Sequence, residues 1–404
     1  PLYSSAASDV YKRQSVTGAY LDSEVLNEIG ADVILRPDAN SCRLVPWYDE
    51  PTAQIIHDAF DHEGRMVPFT PRAVLKRVLA LFEDAGMAPV VAPELEFFLV
   101  EQSADANNPL VSPKGKSGRA EKARQAYGID AVNEFDPLFE DIYDHCEVQK
   151  IDIDTLSHEA GAAQMEINFN HGDALELADQ AFLFKRTVRQ TALNHNLHAT
   201  FMAKPMQDQP GSAMHVHLSI RDLESGRNLF VTEDGEDSDA FHHALAGMQR
   251  YLSGAMALMA PYVNSYRRHS LTEDSPTNLA WGMDNRTVGL RVPTGDPANR
   301  RIENRVPGAD ANPYLAIAAS LAAIWLGLKE QRRPNRPRTV SGEDLSTLPR
   351  NLDIALDALE RAGPLQEILG EQFVKLFIEV KRGEADAFLE VISPWEREYL
   401  LLNV

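Results

Sequence analysis

The sequence predicts an α+β protein, and three observations point there. Short segments in which polar and apolar residues alternate one for one read as half-buried strands. Longer segments with apolar residues three and four apart read as helices packed against them. An alanine-rich apolar run, Tyr314 to Leu328, reads as a helix buried inside the fold and is too short to span a membrane. With 404 residues and 44% hydrophobic content, the chain can bury one large core and still carry a smaller domain.

Taken in order, residues 1–14 (PLYSSAASDVYKRQ) match no element that follows. Asp9 to Gln14 is also what GAT GTG TAT AAG AGA CAG encodes, a pattern of sequencing-library adapters, so 1–14 is expected to be a non-native segment. Reads across the junction in source DNA check this, and uninterrupted gene sequence there overturns it. From 15 to 66, short apolar runs broken by Gly, Asp, Asn and Pro suggest a small β-rich module, and 67–404 follows as one larger domain. Thr70-Pro71 opens a helix carrying Val74, Leu75, Val78, Leu79 and Phe82 on one face and ending near Gly86. A strand from Val90 to Val100 follows. Helical patterns recur at Asp173–Ala199 and Phe241–Leu258, from Pro313 onward, and over most of Leu352–Val404. Arg332–Pro349 and the acidic stretch Asp222–Asp239 read as solvated loops.

A formal net charge of -21 argues against nucleic acid or an anionic membrane as a partner. No signal peptide or membrane span is visible. The two cysteines, Cys42 and Cys146, supply no disulfide framework and no zinc-site spacing, which fits a reducing, cytoplasmic setting.

Four strands carry chemistry on one face. Glu94 and Glu96 alternate with Leu95 and Phe97; Glu166, Asn168 and Asn170 alternate with Ile167 and Phe169. His215, His217 and Ser219 share a face, as do Arg301, Glu303 and Arg305. Any one of these alone reads as a half-solvated edge. Jointly they select Glu, His, Arg and Asn, where a solvated face mixes Lys, Thr, Ser and Gln. Carboxylates gathered a few ångströms apart repel by roughly 3–4 kcal/mol per pair at an effective dielectric near 20, so bound cations must offset them. Hard oxygen ligands with one imidazole suit Mg²⁺ or Mn²⁺ better than zinc. The interspersed arginines point to phosphate, and the combination to phosphoryl transfer.

These residues resemble the glutamine synthetase superfamily. Lys204-Pro205-Met206 with Pro210-Gly211-Ser212-Ala213-Met214-His215 and Ser219 is similar to its ATP-region signature. Glu94 to Phe98, His158-Glu159 with Gln164 to Glu166, Asn264 to Arg268 and Arg301 to Glu303 are similar to its other blocks, in the same order. The resemblance implies that 67–404 is a catalytic domain of antiparallel sheet with flanking helices, preceded at 15–66 by a truncated β-grasp domain. It implies two Mg²⁺ or Mn²⁺ ions, one held by Glu96, Glu159 and Glu166 and the other by Glu94, His215 and Glu303. It implies that Arg268 pairs with the α-carboxylate of glutamate and that Gly211 lines the glutamate pocket. Arg286, Arg291 and Arg305 would neutralise the phosphoryl group in transfer, with Arg305 also touching substrate, while His217, Ser219, Arg301 and Arg291 meet ATP. The implied reaction is ATP-dependent joining of glutamate to an amine through a γ-glutamyl phosphate, in a homo-oligomer of two hexameric rings whose neighbouring subunits complete each site.

Ammonia-using members carry glutamate where this chain has Asp274, and Trp281 to Thr287 and Pro394 to Leu400 resemble the branch acting on putrescine and other amines. An organic amine is therefore expected, with glutamine synthetase proper, a non-catalytic relative and a phosphotransferase as alternatives. No tyrosine lies between Trp325 and Tyr399, so the adenylylation site of some members has no counterpart. His57, His62, His195 and His198 read as structural or surface groups, His242 and His243 as a solvated face, and His158 as a group orienting its neighbour.

Overall fold

The computed structural model describes residues 15–18, 33–122, 124–269, 275–338 and 348–404. The expected non-native segment 1–14 and Asp274 lie outside them. Within the stretch expected to be β-rich, β1 (Ile34–Pro37) pairs with β4 (His57–Phe60), and β2 (Arg43–Leu44) with β3 (Ala53–Gln54). Arg72 fastens this region to the rest, donating to Asp38, Asp58 and Asp179 at 2.7–3.0 Å.

One nine-stranded sheet organises the remainder. Its strands are β5 (Met87–Glu101), β6 (Ile153–His158), β7 (Gln164–Phe169), β8 (Gly172–Asp173), β9 (Leu197–Thr200), β10 (Met214–Asp222), β11 (Trp281–Met283), β12 (Leu290–Val292) and β13 (Ile302–Asn304). The order is β11-β12-β13-β10-β5-β7-β6, with β8 and β9 also pairing β5. Among the described residues the sheet is antiparallel, as expected, apart from the parallel edge pair of β11 with β12. Asp284, at φ 46, turns the chain back after β11, and its carboxylate holds Arg291 at 3.1 Å and Thr294.

Helices cover the apolar face. Pro71–Glu83 starts as its sequence demands, with Thr70 Oγ1 accepting from the Ala73 amide and proline in the first turn. The alanine-rich run is the buried helix Pro313–Glu330. It packs against Asp239–Tyr251 through a glycine pair: a Cβ on Gly247 would sit 2.2 Å from the Ala323 carbonyl and 2.6 Å from Gly327 Cα. Two helical expectations ran too long. Ala174–Asn194 ends at His195 because Asn196, at φ 57, reverses the chain into β9. The Phe241–Leu258 pattern breaks after Tyr251 into the separate turn Met256–Met259.

Leu95, Phe97, Met165, Ile167, Met214, Val216, Leu218 and Ile302 are fully buried beneath these helices. Each such side chain contributes about 1.5–3 kcal/mol, so a one-residue slip that exchanged them for the acids would be prohibitive. The core thereby fixes which side chains reach the opposite face.

Candidate active site

Directly opposed residues in an antiparallel pair share a face. Glu94 on β5 lies opposite His215 on β10 and Asn168 on β7, and Glu96 lies opposite Glu166. Glu303 on β13 lies opposite both His217 and Arg291. Register alone thus gathers side chains predicted on separate strands. Ligand atoms of Glu94, His215 and Glu303 fall within 4.8 Å of one another, and so do those of Glu96, Glu166 and His215. His215 is common to both groups. Glu159, which follows β6 at the start of the 159–163 loop, belongs to neither, although its charge acts on Glu96 and Glu166.

The electrostatics divide the acids. Burial alone would raise the Glu94 carboxyl, but His215 and His217 more than offset it and hold it well below the usual range; His217 Nε2 lies 2.7 Å from Glu94 Oε1. Glu303 is also held down, burial being outweighed by His215 and Arg305. Burial, then repulsion from Glu159, pushes Glu96 up to about 7; burial, then Glu94 and Glu96, pushes Glu166 up to about 9. Burial and Arg305 lower His215 to about 4, leaving a neutral imidazole with a lone pair to give. Neutral imidazole beside buried carboxylates that repel one another is a donor set that fits hard divalent ions.

Arginines close the cluster. Arg291 donates to Glu303 Oε2 at 2.6 Å and Arg305 to Glu303 Oε1 at 2.5 Å, with Glu303 wholly inaccessible to solvent. Among the described residues the buried Nε atoms of Arg291 and Arg305 have no partner. Unused guanidinium donors beside a cation-binding group fit phosphoryl oxygens. Arg301 donates to His217 Nδ1 at 3.1 Å. A cavity of about 1250 Å³ opens here, lined by Glu94, Asn168, His217, Ser219 and Arg301, large enough for a nucleoside triphosphate. The mostly exposed stretch 223–238 is the solvated loop expected, and its Gly226, Asn228, Thr232 and Gly235 also form part of the cavity wall, since water and a polar ligand demand the same residues. Arg286 is exposed, and its charge acts on Glu159.

Arg268 is buried, donating to the carbonyls of Val306 at 2.8 Å and Arg305 at 3.0 Å. Gly211 packs on it so closely that a Cβ there would lie 2.6 Å from Arg268 Cγ. The two expected glutamate-site residues are therefore in contact. Gln164 ties this part to the acids, its Nε2 reaching Glu96 Oε2 at 3.2 Å and the Gly211 carbonyl at 2.9 Å. Gln164→Ala is expected to weaken Mg²⁺ binding ~10–100-fold, measured by titration calorimetry, because Glu96 loses its orienting donor. Unchanged affinity would show that Gln164 is a spacer.

Sequence reading missed three neighbours. Gln164 was signalled, since extending the β7 alternation one step back from Glu166 reaches it. Glu121 was not: it accepts from His158 Nε2 at 3.0 Å and from the Ala163 amide at 2.8 Å across 37 and 42 residues. His158 also holds the Glu159 carbonyl at 2.7 Å, in keeping with an orienting role. Tyr127 lies within electrostatic reach of Glu159, Arg286, Glu166 and Arg305, a proximity no local pattern reveals. His195 meets Asp141 at 2.7 Å and His57 the Ile55 carbonyl at 3.1 Å, both away from the acids.

Residues 68–400 match the family described as glutamine synthetase, catalytic domain. The gamma-glutamylputrescine synthetase PuuA of Escherichia coli (strain K12) is 39% identical over 356 residues, covering 87% of this chain and 75% of that protein. A glutamine synthetase of Halobacterium salinarum is 34% identical (92% and 83% covered), and a glutamate–isopropylamine ligase of a Pseudomonas species 31% (90% and 80%). A solved structure described as a GmaS/ADP complex superposes with a TM-score of 0.82 at 31% identity, covering 92% of this chain and 86% of that one. No described helix is long and apolar enough to cross a membrane.

Proposed function

We propose a function from the premise that this chain belongs to the glutamine synthetase family, whose catalytic domain matches it from residue 68 to residue 400. It is a carbon–nitrogen ligase of that family, working with ATP and divalent cations. In our reading it joins the γ-carboxylate of glutamate to an organic amine, and residues 15–66 are what this chain holds of a β-grasp domain. The observation that carries the reading is Glu303, buried between Arg291 and Arg305 and beside His215, where cation-binding and phosphate-binding groups meet.

In this reading Glu94, His215 and Glu303 would hold one cation and Glu96, Glu159 and Glu166 the other, supplying positive charge that lets two anionic reactants meet. Arg268 takes the α-carboxylate of glutamate, with Gly211 beside it. His217, Ser219 and Arg301 face the nucleotide. A γ-carboxylate oxygen bonds to the terminal phosphorus of ATP as the bond to the ADP oxygen breaks, giving γ-glutamyl phosphate. Arg286, Arg291 and Arg305 meet the charge on the phosphoryl oxygens, at fixed positions that need no reorganisation. The amine nitrogen then bonds to the carbonyl carbon, phosphate leaves, and the nitrogen gives its proton to an acidic side chain, which we assign to Asp274. A ring-shaped homo-oligomer, by resemblance two hexameric rings, is the proposed assembly.

The shorter acid at 274 and the 39% identity to a gamma-glutamylputrescine synthetase support an organic amine. The 34% identity to a glutamine synthetase keeps ammonia as the second reading. ADP release with glutamate and Mg²⁺, adding ammonia, putrescine, ethanolamine or an aromatic amine in turn, separates them. We expect kcat/KM for the best organic amine to exceed that for ammonia at least ~10-fold, a margin of about 1.4 kcal/mol, and Asp274→Ala to remove most of that turnover. Preference for ammonia overturns the amine assignment, and full turnover in Asp274→Ala overturns the role of that residue.

A further inference from the structure

Arg268 is 2% exposed; among the described residues it has no direct ion pair, although the charges of Glu96 and Asp310 act on it through space. Burial lowers it only to about 10, so it stays charged at neutral pH. Its acceptors are neutral: the Val306 carbonyl, the Arg305 carbonyl and the ring of His269, whose Nε2 lies 3.3 Å from Arg268 NH1. A buried guanidinium with no carboxylate in direct contact is costly unless a ligand supplies one, so how it is held decides how well a carboxylate is met.

The His269 ring can serve in one form only. Nδ1 lies 3.0 Å from the Pro276 carbonyl, which can only accept, so Nδ1 carries the hydrogen. In the neutral ring Nε2 then offers its lone pair to Arg268; a protonated ring would set N–H against N–H. Burial and the Arg268 charge outweigh the Pro276 and Val306 carbonyls, which both favour a protonated ring, and hold His269 down to about 3, so the ring is neutral across the working range.

We propose that His269 is a positioning residue for glutamate recognition, its Pro276-fixed tautomer aiming the Arg268 guanidinium at the substrate α-carboxylate. The role rests on the reading of Arg268 given above. Asparagine at 269 can keep the donor to Pro276 but loses the acceptor for Arg268, whereas glutamine can place an oxygen near the Nε2 position.

The test is calorimetric titration of L-glutamate into the full chain with Mg²⁺ and a non-hydrolysable ATP analogue. Arg268→Gln is expected to weaken glutamate binding ~100-fold or more, as loss of a charge-assisted pair does. His269→Asn is expected to weaken it ~10–100-fold, the span typical of lost orienting partners, and His269→Gln to stay within ~3-fold of wild type, with analogue affinity unchanged in both. Wild-type binding in Arg268→Gln would remove the glutamate reading of Arg268 itself. Weak binding there with wild-type binding in His269→Asn, equal losses in the Asn and Gln variants, or a parallel loss of nucleotide affinity would each overturn the positioning role.

Discussion

Glu303→Ala is expected to lose ~10³-fold in amine-dependent ADP release, the upper range for removing one preorganised charge-stabilising group, and to cost the fold about 3–5 kcal/mol. The residue is fully buried, and its carboxylate is the shared partner of Arg291, Arg305 and His215. Alanine leaves two guanidinium groups facing each other with no negative charge between them. Glu303→Gln separates the two effects. It keeps the volume and one acceptor oxygen but loses the charge and sets an amide N–H against one of the two arginines, so its stability should fall between wild type and the alanine variant, while turnover falls nearly as far as in the alanine variant. If the glutamine variant retained most of the turnover, the Glu303 charge would have no part in the reacting centre.

The second large effect is linkage between protons and cations. Glu166 and Glu96 have folded values of about 9 and about 7 against an ordinary 4.5, raised first by burial and then by neighbouring carboxylates. From pH 4.5 up to those values the cation-free folded protein holds protons that the unfolded chain has released, so its stability falls as pH rises through that window. Mg²⁺ needs both groups ionised and therefore competes with their protons. Stabilisation by a fixed Mg²⁺ concentration should be several-fold larger at pH 8.5 than at pH 6.5, and binding should release protons, detectable as a buffer-dependent heat. A Mg²⁺-induced melting shift independent of pH would contradict a carboxylate-lined cation site at Glu96 and Glu166.

What the sequence disclosed about this site follows from the range of the physics involved. Alternation in β5, β7, β10 and β13 is a property of neighbouring residues, so the faces carrying Glu94, Glu166, His215 and Glu303 could be read directly. Their mutual placement depends on register, and register is set by Leu95, Ile167, Val216 and Ile302 packing under helices distant in sequence. The helix Ala174–Asn194 was overextended because β9, with four residues, is too short to declare its own period. Glu121 and Tyr127 reach the acids only through tertiary folding. Arg268 was marked by resemblance, but its burial against the Arg305 and Val306 carbonyls depends on backbone that arrives from β13.

The parallel edge pair of β11 and β12 has the same origin. Three residues each, β11 and β12 are too short to declare a period in the sequence, and no local pattern announces the left-handed Asp284 that brings one beside the other. Its consequence is functional, since that turn delivers Arg291 to Glu303.

The central claim, transfer of the ATP phosphoryl group to the γ-carboxylate of glutamate, is tested most directly with glutamate labelled with ¹⁸O in that carboxylate. The full chain is supplied with ATP, Mg²⁺ and whichever amine gives the fastest ADP release, and the phosphate formed is examined by mass spectrometry. The two-step reaction predicts one ¹⁸O in each phosphate, carried over when the amine displaces it from the carbonyl carbon. Unlabelled phosphate alongside continuing ADP release would mean that ATP is split by water, and the ligase account would be contradicted.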